Sequence, residues 1–264
     1  MHVVGILNLT SDSFSDGGRF LDPVAAIVHA RDMRAGGADW IDVGAESSNP
    51  AGAAVEPAEQ IRRIEPVVRA LVSEGVHVSI DTHRPEVLSA ALSWGVGMVN
   101  DVTALADPRC VEILRESRVP IVLMFAAQEG VRARTEPRAP DVDDAIAFLA
   151  GRIDALGRAG IDADRIVVDP GMGFFLSPDP EPSLRMLRGM GRIKAALGRP
   201  VYVSTSRKSF VGTLLGGRPP ADRAAGTLAT EIWALAHGAD WVRTHDPRAL
   251  RDAWNLWTSL STGS

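Results

Sequence analysis

Cysteine is almost missing. Cys110 is the only one in 264 residues, so no disulfide can form within the chain, and a small scaffold stapled for an oxidising compartment is excluded. Also missing is any span of roughly 18 or more apolar residues, which removes a membrane-crossing helix. The opening Met1-His2-Val3-Val4-Gly5-Ile6-Leu7 enters an apolar run at once, without the character of a signal peptide, so the expected location is cytoplasmic. Lys and Arg form no runs, and Asp plus Glu outnumber them, 33 against 28, for a formal net charge of −5. Such a balance gives no footprint for nucleic acid or an anionic membrane, so an anionic ligand must be held by locally placed cations.

Several catalytic signatures are missing as well. The six histidines include no His-Glu-x-x-His pair and Cys110 has no partner, which leaves a metal centre built from the chain's own ligands poorly supported. No Gly-x-Gly-x-x-Gly fingerprint or Ser–His–Asp signature is found, so dinucleotide chemistry and acyl transfer lack support.

What is present is a regular alternation. Short β-branched or apolar runs fall near 2–8, 39–45, 76–81, 97–101, 119–125, 165–169, 200–205 and 240–245, which is the pattern of repeated βα units. Between and after them, helical periodicity covers 57–74, 84–94, 108–116, 141–159, 181–197, 221–237 and 247–260. A further helix is capped by Asp22-Pro23 and stopped by Gly36-Gly37. Eight such units in a single domain spanning 1–264 predict a TIM (β/α)8 barrel; a doubly wound open sheet gives a similar alternation and stays open as the alternative. Two connections are long, 9–21 and 46–56, and are rich in Gly, Ser, Asp or Pro, as loops over an active site would be.

A barrel does its chemistry where strands meet the following loops. The strands end in Asn8, Glu46, Asp81, Asn100 with Asp101, Gln128 a little beyond the fifth run, Asp169, Ser206-Arg207-Lys208, and Arg243 with His245. Taken singly, an Asp or Asn at such a place is more often a helix cap or turn residue than a catalyst. The assembly shifts the balance, because carboxylates and amides on early strands would face Arg and Lys on late strands. Acceptors and donors for a heterocycle would then sit beside cations for a phosphate. The Ser206-Arg207-Lys208-Ser209 run precedes Val211-Gly212, read as a turn, and would combine side-chain charge with nearby backbone N–H groups. Mg²⁺ is compatible with this set, since it needs only one or two protein oxygens besides diphosphate oxygens, and Asn8 can provide one.

These residues also carry a family resemblance over nearly the whole chain. The segment Gly5-Ile6-Leu7-Asn8-Leu9-Thr10-Ser11-Asp12-Ser13-Phe14-Ser15-Asp16-Gly17-Gly18 resembles the first signature of dihydropteroate synthases. Ser79-Ile80-Asp81-Thr82, Val99-Asn100-Asp101-Val102, Asp169-Pro170-Gly171-Met172-Gly173-Phe174, Ser206-Arg207-Lys208-Ser209-Phe210 and Arg243-Thr244-His245-Asp246 are similar to the later motifs, in the same order. The resemblance implies condensation of p-aminobenzoate with a pterin methyl diphosphate, releasing pyrophosphate. It implies a catalytic set of Asp81, Asp169 and Lys208, and a pterin pocket of Asp81, Asn100, Asp169, Lys208 and Met124. Asn8, Arg243 and His245 would take the diphosphate, with Mg²⁺ at Asn8, while Ser48, Pro50, Phe174 and Ser206 would face p-aminobenzoate. In the family the C–O bond to diphosphate breaks largely before the amine attacks, so a pterin-methyl cation and a departing anion must both be stabilised.

Departures from the ordinary family pattern lie mostly on the p-aminobenzoate side. The second loop, usually Gly-Gly-Glu-Ser-Thr-Arg-Pro-Gly, reads Gly44-Ala45-Glu46-Ser47-Ser48-Asn49-Pro50-Ala51 and lacks the arginine; Leu123-Met124-Phe125 stands where Leu-Met-His is usual. Phe174-Phe175-Leu176 replaces a Phe-Gly-Lys-like continuation, and the stretch from Asp169 to Pro178 resembles the sulfonamide-insensitive Sul-type synthases. The resemblance therefore implies reduced sulfonamide sensitivity, with Phe174 and Phe175 as its cause. Two other readings stay open at this point, a catalytically silent pterin-binding homologue and a barrel passing a methyl group from a folate to a corrinoid. A homodimer is implied by the resemblance alone. Trp254 and Trp257 on the last helix fit either an interface or packing against the barrel.

Overall fold

The structure, a computed structural model, describes residues 1–10, 22–46, 54–127 and 139–261. In chain order the elements are β1 (His2–Asn8), α1 (Pro23–Ala35), β2 (Trp40–Gly44), α2 (Pro57–Ser73), β3 (His77–Asp81), α3 (Pro85–Ser93), β4 (Met98–Asp101), α4 (Pro108–Arg115), β5 (Ile121–Met124) and α5 (Val142–Arg158). They continue with β6 (Ile166–Asp169), α6 (Glu181–Arg188), α7 (Met190–Leu197), β7 (Tyr202–Val203), α8 (Ser209–Leu214), α9 (Ala224–Ala236), β8 (Trp241–Thr244) and α10 (Pro247–Ser261). The strands are parallel in the order β6-β5-β4-β3-β2-β1-β8-β7. Its two ends meet through a parallel bridge between Val168 and Val201, where the Val168 N–H donates to the Pro200 carbonyl at 2.9 Å. That contact closes the sheet into a (β/α)8 barrel and excludes the open-sheet alternative.

Period-two alternation sorts the strand residues onto two faces. One set, including Val3, Leu7, Ile41, Val43, Ile80, Val99, Leu123 and Val168, packs with the helices into the large outer core. The other set points inward and is layered. At the strand starts the rings of His2 and Trp241 stack at 4.0 Å, Trp40 lies 6.0 Å from Trp241, and His77 lies 4.9 Å from Trp40. Val4, Met98, Val122, Val167 and Tyr202 form the next, separate cluster. Toward the strand ends the inward positions turn polar: Asp42 lies opposite Ser79, Asp81 opposite Asn100, and Met124 opposite Asp169. A dry floor therefore supports a charged upper layer.

Helix starts follow the expected chemistry. Asp22 accepts from the Val24 N–H with Pro23 in the first turn, and Asp141 and Asp144 make a reciprocal capping box at the start of α5. Three sequence expectations need correction. The single helix expected over 181–197 is two, because the chain breaks at Gly189, where a Cβ would lie 2.4 Å from Val142 Cγ2 on α5. Val211-Gly212 is not a turn but lies within α8, a short helix that buries Phe210 and Val211. The seventh strand is shorter than 200–205, with only Tyr202 and Val203 in the ladder. Most of the two long connections, and Gln128, Ser48 and Pro50, lie outside the described residues. No described helix is long and apolar enough to cross a membrane.

Just beyond β6, Gly171 has φ +70°, and a Cβ there would stand 2.1 Å from the Phe125 carbonyl oxygen. Left-handed backbone costs a side chain about 1–2 kcal/mol before any clash, so Gly171→Ala should destabilise the fold by at least about 2 kcal/mol in urea denaturation. An unchanged midpoint would mean that the β5 and β6 exits are not locked together.

Candidate active site

The upper barrel layer is organised by Arg243, on β8. Its Nε donates to Asp42 Oδ2 at 2.6 Å and its Nη2 to Asp81 Oδ2 at 3.0 Å, so one guanidinium reaches across β1 to carboxylates on β2 and β3. Asn100, on β4, adds a bond from Nδ2 to the same Asp42 oxygen at 3.2 Å. Burial raises the Asp81 carboxyl above the usual range while the Arg243 charge beside it pulls the other way. For Arg243 burial opposes the charge, but Asp42 and Asp81 more than compensate and hold it firmly protonated. Asp42 has 0% exposure and was missed by the strand-end reading because it lies two residues inside β2. Its signal was present: a lone charge at an inward position of Trp40-Ile41-Asp42-Val43-Gly44.

On the opposite side, Asp169 ends β6 and accepts the Gly171 N–H at 2.8 Å. Its carboxyl is pushed up to about 6 by burial, against the opposing Lys208 and Arg243 charges. Lys208, one of two lysines in the chain, precedes α8. Its Nζ lies 3.4 Å from the Met172 carbonyl and 4.7 Å from the centre of the Phe175 ring, a cation–π arrangement. Burial brings its ammonium down to about 8, with Asp169 supporting the charge. Met124 is buried at the end of β5. Asp81, Asn100, Asp169, Lys208 and Arg243 are thus brought to one end of the barrel, as the sequence suggested.

Ser206 and His245 form a second unit, with Ser206 Oγ 2.8 Å from His245 Nδ1 and accepting the His245 N–H at 3.1 Å. Burial pushes His245 well below the usual histidine range, the Arg207 and Arg243 charges adding to the effect. A ring held low in this way favours its neutral form and offers hydrogen bonding rather than charge. Asn8 ends β1 beside Gly44 and is half-buried. Phe174, after β6, is 43% exposed.

Two strand-end residues turn away. Glu46 accepts from Gln60 Nε2 at 2.8 Å and pairs with Arg84 at 3.3 Å, tying β2 to α2 and the start of α3. Asp101 accepts the Thr103 N–H at 2.7 Å and its hydroxyl at 2.6 Å, shaping the turn after β4. Both are the turn and anchoring roles that such residues usually have. Among the described residues no group of three or more His, Cys, Asp or Glu could hold a metal ion.

A closed parallel barrel whose upper layer gathers three carboxylates, an amide, a lysine and an arginine defines a class. Residues 4–245 match the family described as pterin binding enzyme, and the chain belongs to it. It is 48% identical over 259 residues to a type-2 dihydropteroate synthase of Escherichia coli, covering 98% of this chain and 95% of that one. Among solved structures, the Yersinia pestis dihydropteroate synthase with a sulfonamide drug complex matches with a TM-score of 0.93 at 32% identity, over 99% of this chain and 94% of the other. The Xanthomonas albilineans enzyme in complex with 7,8-dihydropteroate matches with 0.85 at 34% identity, over 100% and 94%. The activity is dihydropteroate synthesis, in which p-aminobenzoate and (7,8-dihydropterin-6-yl)methyl diphosphate give 7,8-dihydropteroate and pyrophosphate.

The Asp169 shift has a consequence for stability. A carboxyl whose folded value is raised from 3.8 to about 6 favours the fold below the unfolded value and loses that contribution as pH rises through about 6. Relative to Asp169→Asn, the unmodified protein should lose up to about 3 kcal/mol between pH 4 and 6, read by denaturant unfolding. A difference that stays flat over that window would show that burial does not burden this carboxylate.

Proposed function

We propose that the upper barrel layer divides its work along the sheet. Asp81, Asn100, Asp169 and Lys208 hold the polar edge of the pterin, with Met124 against its ring, and Asn8, Arg243 and His245 receive the diphosphate. The observation that carries this reading is the placing of the buried Asp169 carboxylate and the half-buried Lys208 ammonium together at the β6–β7 side, an acceptor and a donor for a flat heterocycle. Asp81, next to Arg243, supplies negative charge toward the pterin-methyl carbon as positive charge develops there. Arg243 and His245 hydrogen-bond the departing anion. Asn8 provides one hard oxygen at the mouth, which fits Mg²⁺ shared with diphosphate oxygens; bound there, the ion would neutralise leaving-group charge. The p-aminobenzoate side is assigned to Ser48, Pro50, Phe174 and Ser206. The substrates are small molecules, and we place the enzyme in the cytoplasm as a homodimer, with no nucleic-acid or membrane partner. Support for self-association is the outer face of α10, where Leu256, Trp257 and Leu260 are 63%, 44% and 73% exposed, whereas Trp254 packs against the core.

Removing the Asp169 carboxylate leaves pterin ring donors without their acceptor, a loss of about 1.5–3 kcal/mol for a charge-assisted bond. Asp169→Ala should therefore weaken pterin binding about tenfold or more in calorimetry, and a folded variant with full pterin affinity would remove Asp169 from the pterin site.

The finer reading concerns drugs. Sulfonamides copy the aniline of p-aminobenzoate but replace a small planar carboxylate with a bulkier tetrahedral sulfonyl bearing a further substituent. An exposed Phe174 ring, with Phe175 fixed beside Lys208, admits the first and obstructs the second. Steric penalties of roughly 1–3 kcal/mol correspond to about ten- to hundredfold discrimination. Phe174→Gly should raise sulfamethoxazole inhibition far more than it changes KM for p-aminobenzoate; an unmodified enzyme inhibited as strongly as ordinary synthases would end this reading.

A further inference from the structure

The carboxylate with the least access to solvent in the barrel mouth is Asp42, and none of the roles above uses it. Its Oδ2 accepts from Arg243 Nε at 2.6 Å and from Asn100 Nδ2 at 3.2 Å, so a single oxygen anchors a residue assigned to the anion and one assigned to the pterin edge. Its other oxygen, Oδ1, has no hydrogen-bond partner among the described residues, and the same holds for the hydroxyls of Ser79, opposite it on β3, and Tyr202 on β7. Asp42 lies below the layer of Asp81, Asn100 and Asp169, one inward step nearer the floor, and has 0% exposure. A group so placed meets neither substrate. What it can do is fix the groups that do, because an arginine tethered through Nε has its terminal nitrogens held in one plane and direction.

We infer that Asp42 is a positioning residue, whose buried carboxylate clamps Arg243 and Asn100 in the orientations in which they meet the diphosphate and the pterin. The inference rests on the assignment of Arg243 to the anion. Position and charge can be separated at this residue. Asparagine keeps one oxygen able to accept both existing bonds while it removes the charge. Alanine removes the tether and the charge together. A purely electrostatic role would make the two substitutions equivalent; a positioning role makes them differ.

The test is steady-state kinetics of Asp42→Asn, Asp42→Ala, Arg243→Ala and the Asp42→Ala/Arg243→Ala pair, with inhibition by inorganic pyrophosphate and thermal melts alongside. Asp42→Asn should stay within about threefold of the unmodified kcat/KM for the pterin diphosphate, while Asp42→Ala should fall about tenfold or more; placed in the Arg243→Ala background, the alanine substitution should add little. Should Asp42→Ala fail to fold, Asp42→Val, apolar, smaller than leucine and suited to a strand, takes its place in the same cycle. Equal losses for asparagine and alanine, or an alanine loss undiminished without Arg243, would overturn the inference. Unchanged kcat/KM and pyrophosphate inhibition in Arg243→Ala itself would instead overturn the anion assignment on which it rests.

Discussion

Arg243 held between Asp42 and Asp81 is the interaction on which the rest of the barrel mouth depends. A guanidinium taken this far from water is tolerated only with charge partners at hydrogen-bond distance, and β2 and β3 supply them across the intervening β1. Removing one partner of such a set leaves an uncompensated buried charge, which costs far more than the pair contributes when intact. The arrangement therefore binds β8, β2, β3 and, through Asn100, β4 into one unit whose geometry is set before a substrate arrives. Pre-set donors and charges of this kind avoid reorganisation at the moment of reaction, which is where electrostatic catalysis gains most.

The layering below explains why the unit can hold its shape. Aromatic rings lie at the strand starts, and Val4, Met98, Val122, Val167 and Tyr202 fill the next level, so a buried cluster separates the charged layer from the bottom of the barrel. Above that level polarity rises one inward step at a time, through Asp42 and Ser79 to Asp81, Asn100 and Asp169. On the far side, Lys208 and Asp169 are each drawn toward neutral pH from opposite directions by burial, and each restrains the other's shift. A flat, hydrogen-bonding heterocycle suits that environment better than a free ion does. The chain's net charge of −5 is thus no obstacle to anionic substrates, because the cations that matter are local and built into the mouth.

Part of the chemistry is tied directly to loop structure. Phe175 faces the Lys208 ammonium, its carbonyl accepts the Ala127 N–H at 3.0 Å, and the Phe125 N–H donates to the Asp169 carbonyl at 2.8 Å. The chain after β6 is therefore locked to the end of β5 and to the lysine at once. Phe125 and Phe174-Phe175-Leu176, the positions singled out in the sequence, all lie in this region. Leu176 is buried beside Gly171.

The sequence by itself determined the order of elements, the eightfold repeat and most of the mouth. Strand alternation, Asp–Pro helix starts and strand-end polar residues are local signals, and their spacing is imposed by the βα unit. Six motifs in order were enough to indicate the chemistry. What the sequence did not determine were distinctions that depend on what lies opposite. Glu46 and Asp81 both end strands as carboxylates, yet one is claimed by Gln60 and Arg84 and the other by Arg243. The need for glycine at 189 comes from Val142 on another helix, and the closure of the sheet from a bridge between Val168 and Val201. Asp42 shows the limit most clearly: its lone charge is legible in the strand, but its role needs the arginine 201 residues away. Only the tertiary structure brings that partner within hydrogen-bond distance, because burial and long-range pairing are properties of the closed barrel rather than of any segment.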